Sequence, residues 1–267
     1  MIIGKSKKEL EKMRASGRLA GLVREHLRRM VQPGVTTREL DTAAEKMIRD
    51  AGAVPSFKGY HGFPFSICAS INEEVVHGFP SNKALREGDI LSIDVGATLN
   101  GYVGDTATTI PVGRISEDRR RLIRVAEECL ERAIEQCRPG RRVGDIGWAV
   151  QQHAEAQGYS VVREFVGHGI GRRMHEDPQI PNYGAPGTKD KIKPGYVFAI
   201  EPMINMGSHH TKTLPDGWTV VTVDGKPSAH VEHTVAVGED GPIVLTRLSE
   251  SILWEEQIGV EVLGHAT

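Results

Sequence analysis

The chain repeats itself. Residues 33–52 (PGVTTRELDTAAEKMIRDAG) align without a gap on residues 139–158 (PGRRVGDIGWAVQQHAEAQG), 106 positions later. Two apolar runs that end in an acid, GDILSID (88–94) and GYVFAIE (195–201), recur at almost the same offset, 107. One spacing shared by two separate segments points to an internal duplication: helix, Pro-Gly, helix, then strands, twice over. Two repeats are too few to stack as a solenoid. They suit one pseudo-symmetric α/β domain spanning 1–267, with halves of about 1–115 and 116–250 whose strands meet at a central site. A length prior of roughly 150 residues per domain allows two domains, but no linker or low-complexity stretch argues for dividing the chain.

Local signals agree with that plan. Ser6-x-x-Glu9 and Thr36-x-x-Glu39 are capping-box patterns. Leu10, Met13, Gly17, Ala20, Leu27 and Met30 follow the first at helical spacing until Pro33-Gly34. Leu40, Ala43, Ala44, Met47 and Ile48 follow the second until about Gly52. A third helix is predicted from Ser116, with Leu122, Val125, Ala126, Cys129, Ala133 and Ile134 as its apolar stripe and Pro139-Gly140 as its stop. Short strands are predicted over about 66–71, 89–95 and 106–112, and Asn100-Gly101 reads as the turn of a hairpin.

Bulk properties exclude several function classes. A formal charge of −2 leaves no electrostatic footprint for nucleic acid or an anionic membrane. No apolar run approaches the ~20 residues that a membrane span needs, and MIIGKSKKELEKM lacks the apolar core and cleavage site of a secretory signal. Cys68, Cys129 and Cys137 fit no metal-site spacing and read as reduced thiols of a cytoplasmic protein. Arg119-Arg120-Arg121 reads as the wet face of the third helix, and His209-His210 as part of a solvated loop.

The chemistry lies in Asp94, Asp105, His168, Glu201 and Glu232. Asp94 and Glu201 end the two related apolar runs, where burying a charge is costly unless something pairs with it. The hairpin turn at Asn100-Gly101 can bring Asp94 and Asp105 to one point. Gly167 and Gly169 flank His168, which lets the backbone approach closely. Any one of these acids reads as readily as a strand-end or turn residue. Four carboxylates and one imidazole together exceed what a single tetrahedral zinc site uses. They can hold two divalent ions about 3.5–4 Å apart, which polarise a carbonyl and lower the pKa of water between them. His233 neighbours Glu232 but points to the opposite face of an extended segment, and His61 belongs at a pocket mouth.

The runs SINEEVVHGFP (70–80), SIDVGATLNGYVGDT (92–106), VREFVGHGIGRRMHEDPQIPNY (162–183), KPGYVFAIEPM (193–203), DGWTV (216–220) and SAHVEHT (228–234) resemble bacterial type I methionine aminopeptidases over nearly the whole chain. The resemblance implies the pita-bread fold, with its pseudo-two-fold duplication around a central antiparallel sheet. It implies removal of initiator methionine from nascent polypeptides and peptides with a small second residue. Asp94, Asp105, His168, Glu201 and Glu232 are then the ligands of two divalent ions (Co²⁺, Mn²⁺, Fe²⁺ or Zn²⁺), Asp105 and Glu232 bridging them. His77, His175 and Glu201 are implied as catalytic, the two histidines also contacting substrate. Tyr60, Phe63, Cys68 and Trp218 are implied to line the methionine pocket, and Asn72 and Ser228 to flank a monovalent cation. Met174 departs from the family pattern, which often places an aromatic there. A cytoplasmic monomer that associates transiently with the ribosome, binding neither nucleic acid of its own nor membrane, completes the expectation. The alternatives are a proline-specific aminopeptidase or prolidase of the same fold, which usually carries a further N-terminal domain, and an inactive binding member, which typically loses metal ligands.

Overall fold

The computed structural model describes residues 1–248; the remaining residues of the expected unit, 249–267, lie outside the described residues. Helices begin where the capping boxes put them. Ser6 and Thr36 each accept from the backbone of an acid three residues on, and Glu9 and Glu39 reach back to the capping amides. They open α1 (Lys7–Met30) and α2 (Thr37–Asp50). The chain continues through β1 (Val54–Pro55), a 3-10 turn at Tyr60–Gly62, β2 (Ile67–Ile71) and β3 (Glu74–Val76). A long hairpin follows, β4 (Ile90–Leu99) and β5 (Tyr102–Pro111). Next come α3 (Glu117–Glu135) and α4 (Val143–Ala156), then β6 (Ser160–Val161), β7 (Gly167–Gly169), β8 (Glu176–Ile180), β9 (Val197–Ile200) and β10 (Met203–Asn205). The described part closes with β11 (Thr211–Thr213), β12 (Val220–Thr222), β13 (Ser228–His230), β14 (His233–Val237) and β15 (Pro242–Val244).

The hairpin strands run further toward their turn than the apolar pattern predicts. Asn100 and Gly101 both have positive φ, 54° and 78°, the backbone a two-residue turn needs to match strand twist. Pairing therefore continues to Leu99 opposite Tyr102.

Alternation along the strands decides what faces the site. In β4, Leu91, Ile93, Val95 and Ala97 pack into one core with Leu19, Val23 and Leu27 of α1 and Leu40, Ala44 and Ile48 of α2. The period of two turns Ser92, Asp94 and Gly96 to the other face. In β9, Phe198 and Ile200 join Leu122, Val125, Ala126 and Cys129 of α3 and Ile146 and Val150 of α4 in a second core. Val197 and Ala199 face the opposite way, into a third cluster with Phe63, Cys68 and Met174. Glu201 continues that parity. Each helix pair covers the back of a sheet whose other face turns toward the acids.

The antiparallel strands expected around one centre are distributed over four sheets: β1-β4-β2 with β5 added at β4, β13-β10-β6, β11-β12-β3, and β15-β14-β9-β7-β8. The two largest meet at a seam between β5 and residues 230–234. Ala107 and Glu232 exchange backbone hydrogen bonds. Threonine hydroxyls complete the junction: Thr234 Oγ1 donates to the Asp105 carbonyl at 2.8 Å and Thr109 Oγ1 to that of His230 at 2.8 Å. This seam brings Asp105 beside Glu232.

Arg119 corrects the expectation of a wet arginine face. Arg120 and Arg121 are exposed, but the Arg119 guanidinium turns inward and donates to Asn72 Oδ1 at 2.7 Å and to the Gly88 carbonyl.

Candidate metal centre and substrate pocket

Asp94, Asp105, His168, Glu201 and Glu232 all line one cavity of about 430 Å³. Asp105, His168 and Glu232 are buried, whereas Asp94 and Glu201 are half-buried. Asp94 lies in mid-β4, directly opposite Cys68 of β2 and Ala107 of β5. Single ligand atoms of Asp105, His168 and Glu232 lie within 4.8 Å of one another. His168 Nε2 is 3.5 Å from Glu201 Oε1 and 4.0 Å from Asp105 Oδ2.

The glycines around His168 act through close approach. A Cβ at Gly167 would lie 2.4 Å from the Ala199 carbonyl oxygen, and one at Gly169 only 2.0 Å from that of Asp177. Strands β7, β8 and β9 pair tightly enough to fix His168 only because neither position carries a side chain. Gly169→Ala is expected to cost about 1–3 kcal/mol, the range for forced overpacking, and to loosen metal binding. A calorimetric Tm equal to wild type would contradict this.

The tautomer of His168 follows from its partners. Its Nδ1 lies 2.9 Å from the Gly169 carbonyl, which can only accept, so Nδ1 carries the proton. The Nε2 lone pair then faces the acids, as in a metal-ligating imidazole oriented by a carbonyl. Burial, reinforced by the nearby His175, holds its pKa down to about 3. The short approaches of His168 to the carboxylates are therefore convergence of lone pairs and not ion pairing.

The acids show the matching strain. Burial, then the charges of Asp105 and Glu201, raise Asp94 well above the ordinary carboxylate range. Burial pushes Asp105 up to about 7. Burial, then Asp105, raises Glu201, and burial, then its three acidic neighbours, raises Glu232. Among the described residues, Asp94 Oδ1, Asp105 Oδ1 and Glu232 Oε1 are buried without a hydrogen-bond partner. Buried carboxylate oxygens left unpartnered are costly, and divalent cations complete them. The donor set fits such ions, and carboxylate with imidazole suits Mn²⁺, Fe²⁺, Co²⁺ and Zn²⁺ alike.

A pH dependence follows for protein freed of metal by chelation. These carboxyl groups have folded pKa values raised above their unfolded values. Their contribution to stability is fully present below about pH 4, the unfolded range. It is lost as pH rises through the folded value, which for Asp105 is about 7. The chelated protein is therefore expected to melt at a lower temperature at pH 8 than at pH 5, and the difference is expected to shrink when a divalent ion is restored. A Tm that rises from pH 5 to pH 8 in chelator would contradict it.

The rest of the cavity is apolar. Phe63, Cys68, Tyr60 and Trp218 line it, joined by Phe57 and Met174. Phe63 meets Trp218 edge-on with centroids 5.1 Å apart. Met174 is buried and its methyl lies over Gly96, where an added Cβ would sit 3.1 Å from it. His77 and His175 stand at the cavity wall and His61 also lines it. His77 has φ +60°, a left-handed backbone that costs a non-glycine residue roughly 1–2 kcal/mol, and its ring packs against Phe165 and Trp218. Burial, then His175, holds its pKa down to about 4. His233 faces away, toward Thr246 Oγ1 at 2.8 Å and Arg24.

His230 was not singled out by sequence reasoning, although it lies two residues from Glu232 and a strand period of two puts both on one face. It is buried, and its Nε2, which has no hydrogen-bond partner among the described residues, lies 3.7 Å from Glu201 Oε2. Asn182, fully buried, donates to the Glu201 carbonyl at 2.9 Å; no local pattern marks it. At the expected monovalent-cation position, the Asn72 carbonyl accepts from Ser228 N at 2.9 Å. Asn72 Oδ1 accepts from Ile90 N at 3.1 Å as well as from Arg119, whose charge reaches this loop.

Residues 11–239 match metallopeptidase family M24. The chain is 54% identical over 248 residues to methionine aminopeptidase 1 of Bacillus subtilis (strain 168), covering 93% of this chain and all of that one. It is 53% identical over 246 residues to methionine aminopeptidase of Clostridium perfringens, covering 92% and 99%. Among solved structures it superposes on methionine aminopeptidase from Thermotoga maritima with a TM-score of 0.92 at 44% identity, covering 93% of this chain and 100% of that one. The prolidase from Pyrococcus horikoshii OT3 shares the fold at a TM-score of 0.75 and 22% identity, over 93% of this chain and 65% of that one.

Proposed function

The chain belongs to metallopeptidase family M24, and from that membership we propose that it removes N-terminal methionine from peptides and nascent proteins whose second residue is small. The observation that carries this reading is the floor of the pocket. Acids with unpartnered oxygens converge there with one lone-pair-exposing imidazole, in a cavity whose other wall is apolar and aromatic. Divalent metal use follows from the family. We take Asp94, Asp105, His168, Glu201 and Glu232 to be the residues that would hold two such ions. When bound, such ions polarise the scissile carbonyl and favour ionisation of the attacking water.

The chain's own residues supply the remaining steps. Phe63, Cys68, Tyr60 and Trp218 desolvate the methionine side chain, and polarizable sulfur suits those aromatic edges. Glu201, beside His168 and pinned by Asn182 through its carbonyl, accepts the proton of the attacking water. His77 and His175, held below the ordinary histidine range, are neutral at pH 7 and donate through N–H to the scissile group as charge develops on it. The rim formed by exposed His61 and His175 limits the next residue to a small one.

We take the active unit to be one domain of two halves, about 1–115 and 116–250, because residues from both build the pocket. Three free, buried cysteines agree with a reducing cytoplasm, and among the described residues no helix is long and apolar enough to cross a membrane. The reading further takes the enzyme to act as a monomer on chains leaving the ribosome.

The testing experiment offers metallated enzyme three substrates: Met-Ala-Ser, Met-Leu-Ser and an Xaa-Pro peptide. Methionine is expected from the first at a rate far above the second, with no cleavage of the third. Preference for the Xaa-Pro peptide would replace this reading with that of a proline-specific peptidase.

A further inference from the structure

We propose that Lys5 and Tyr60 are positioning residues for His175, acting from outside the reacting atoms on a pocket histidine that a loop carries. The proposal rests on the functional reading above. His175 ends the connection between β7 and β8, residues 170–175, and is exposed at the pocket wall. A histidine on such a loop needs fixing in two respects: where its backbone lies and which ring nitrogen faces the substrate.

Lys5 fixes the backbone. Its amide donates to the Gly195 carbonyl at 2.7 Å, anchoring the N-terminal segment to the turn before β9. Its Nζ donates to Glu176 Oε2 at 2.7 Å, and the two side chains are only 6% and 12% exposed. The other oxygen of Glu176 accepts from the amides of Arg172 and Arg173, at 2.9 and 3.2 Å. One carboxylate thus ties the middle of the loop to the residue just after His175. Gly171 makes room for this arrangement, because a Cβ there would lie 2.4 Å from Lys5 Cε. Lys5 itself does not line the pocket. Removing the ammonium would leave Glu176 half-buried without its cation, a costly state that the loop can relieve by moving.

Tyr60 fixes the ring. Its hydroxyl lies 2.7 Å from His175 Nδ1, while the His168 ring packs on His175 with centroids 4.2 Å apart. With Nδ1 engaged by the phenol, Nε2 is the nitrogen left for substrate. Orientation of a reacting group matters steeply, and a displacement of about 1 Å can cost on the order of 100-fold in rate.

A purely structural role for Lys5 or Tyr60 makes a different forecast, so the test uses cycles. Metallated wild type, Lys5→Met, Lys5→Arg, Tyr60→Phe and His175→Ala are compared on Met-Ala-Ser, together with K5M/H175A and Y60F/H175A. K5M and Y60F are each expected to lower kcat about 10–100-fold, with KM and metal content little changed and K5R restoring most of the loss. In the H175A background neither is expected to lower kcat further, because groups that act through one residue are non-additive. Losses that multiply in the double variants, wild-type rates in K5M and Y60F, or losses that track Tm or metal content would overturn the proposal. A second readout needs no turnover. In spectra of ¹⁵N-histidine-labelled protein, His175 is expected to hold one tautomer in wild type and a mixture in Y60F, and an unchanged tautomer in Y60F would overturn the ring assignment. If wild type releases no methionine, the functional reading fails while the spectra still decide this one.

Discussion

Glu201→Gln is expected to leave a folded protein that releases methionine from Met-Ala-Ser about 10²–10⁴ times more slowly than wild type, the range for losing a positioned general base. The amide matches the carboxylate in shape, so packing at the end of β9 and the Asn182 bond to the Glu201 carbonyl should survive. It cannot accept a proton from water, and it presents an NH₂ where His168 Nε2 lies 3.5 Å from Oε1 and His230 Nε2 3.7 Å from Oε2. The fall should therefore appear in kcat, with KM much less affected. Circular dichroism and Tm near wild type with a kcat down by orders of magnitude would fit this role. Near-normal turnover would remove Glu201 from the chemistry.

Asp105→Asn is the second large expectation, and it carries opposite signs with and without metal. Asp105 is buried and lines the same cavity as Asp94, and its neighbours include His168 and Glu232. Losing a partner outside the coordination sphere typically costs 10–100-fold in metal affinity, so if Asp105 is itself a ligand, as proposed, its loss is expected to cost at least about 100-fold, with activity falling alongside. In chelator the same substitution removes one of several mutually repelling charges, and like charges at close range destabilise each other. Metal-free D105N is therefore expected to melt above metal-free wild type at pH 8, while added metal stabilises it far less. Calorimetry in chelator and in Mn²⁺ checks both halves. A D105N protein that is less stable than wild type in chelator would mean that the carboxylate serves packing and not metal.

Much of this site could be read from local pattern. Asp94 sits between Ile93 and Val95 in a run whose alternate residues, Leu91, Ile93, Val95 and Ala97, enter the core against α1 and α2, so a period of two already turned it away from them. Gly167-His-Gly169 announced a close approach, and the contacts a Cβ would make at both glycines give the reason. The capping boxes at Ser6 and Thr36 fixed the helix starts because every group they use lies within three residues.

Other features depend on partners far along the chain. The seam joining β5 to residues 230–234 rests on threonine hydroxyls reaching over 120 residues or more, and nothing local to Thr109 or Thr234 marks it. Lys5 meets Glu176 across 171 residues. Arg119 occupies a position that helical periodicity assigns to solvent, because periodicity cannot know that the Asn72 side chain and the Gly88 carbonyl lie within its reach. His230 was legible in principle from its parity with Glu232, but a single histidine on a buried strand carries no chemistry until Glu201 stands 3.7 Å away.

The most direct measurement is methionine release by enzyme first stripped with chelator and then titrated with Mn²⁺, Fe²⁺, Co²⁺ or Zn²⁺, with bound metal counted at each step. The account predicts no release of methionine from Met-Ala-Ser in chelator, recovery on adding at least one of these ions, and saturation at two ions per chain. Undiminished release in chelator, or no release with any of the four ions bound, would contradict it.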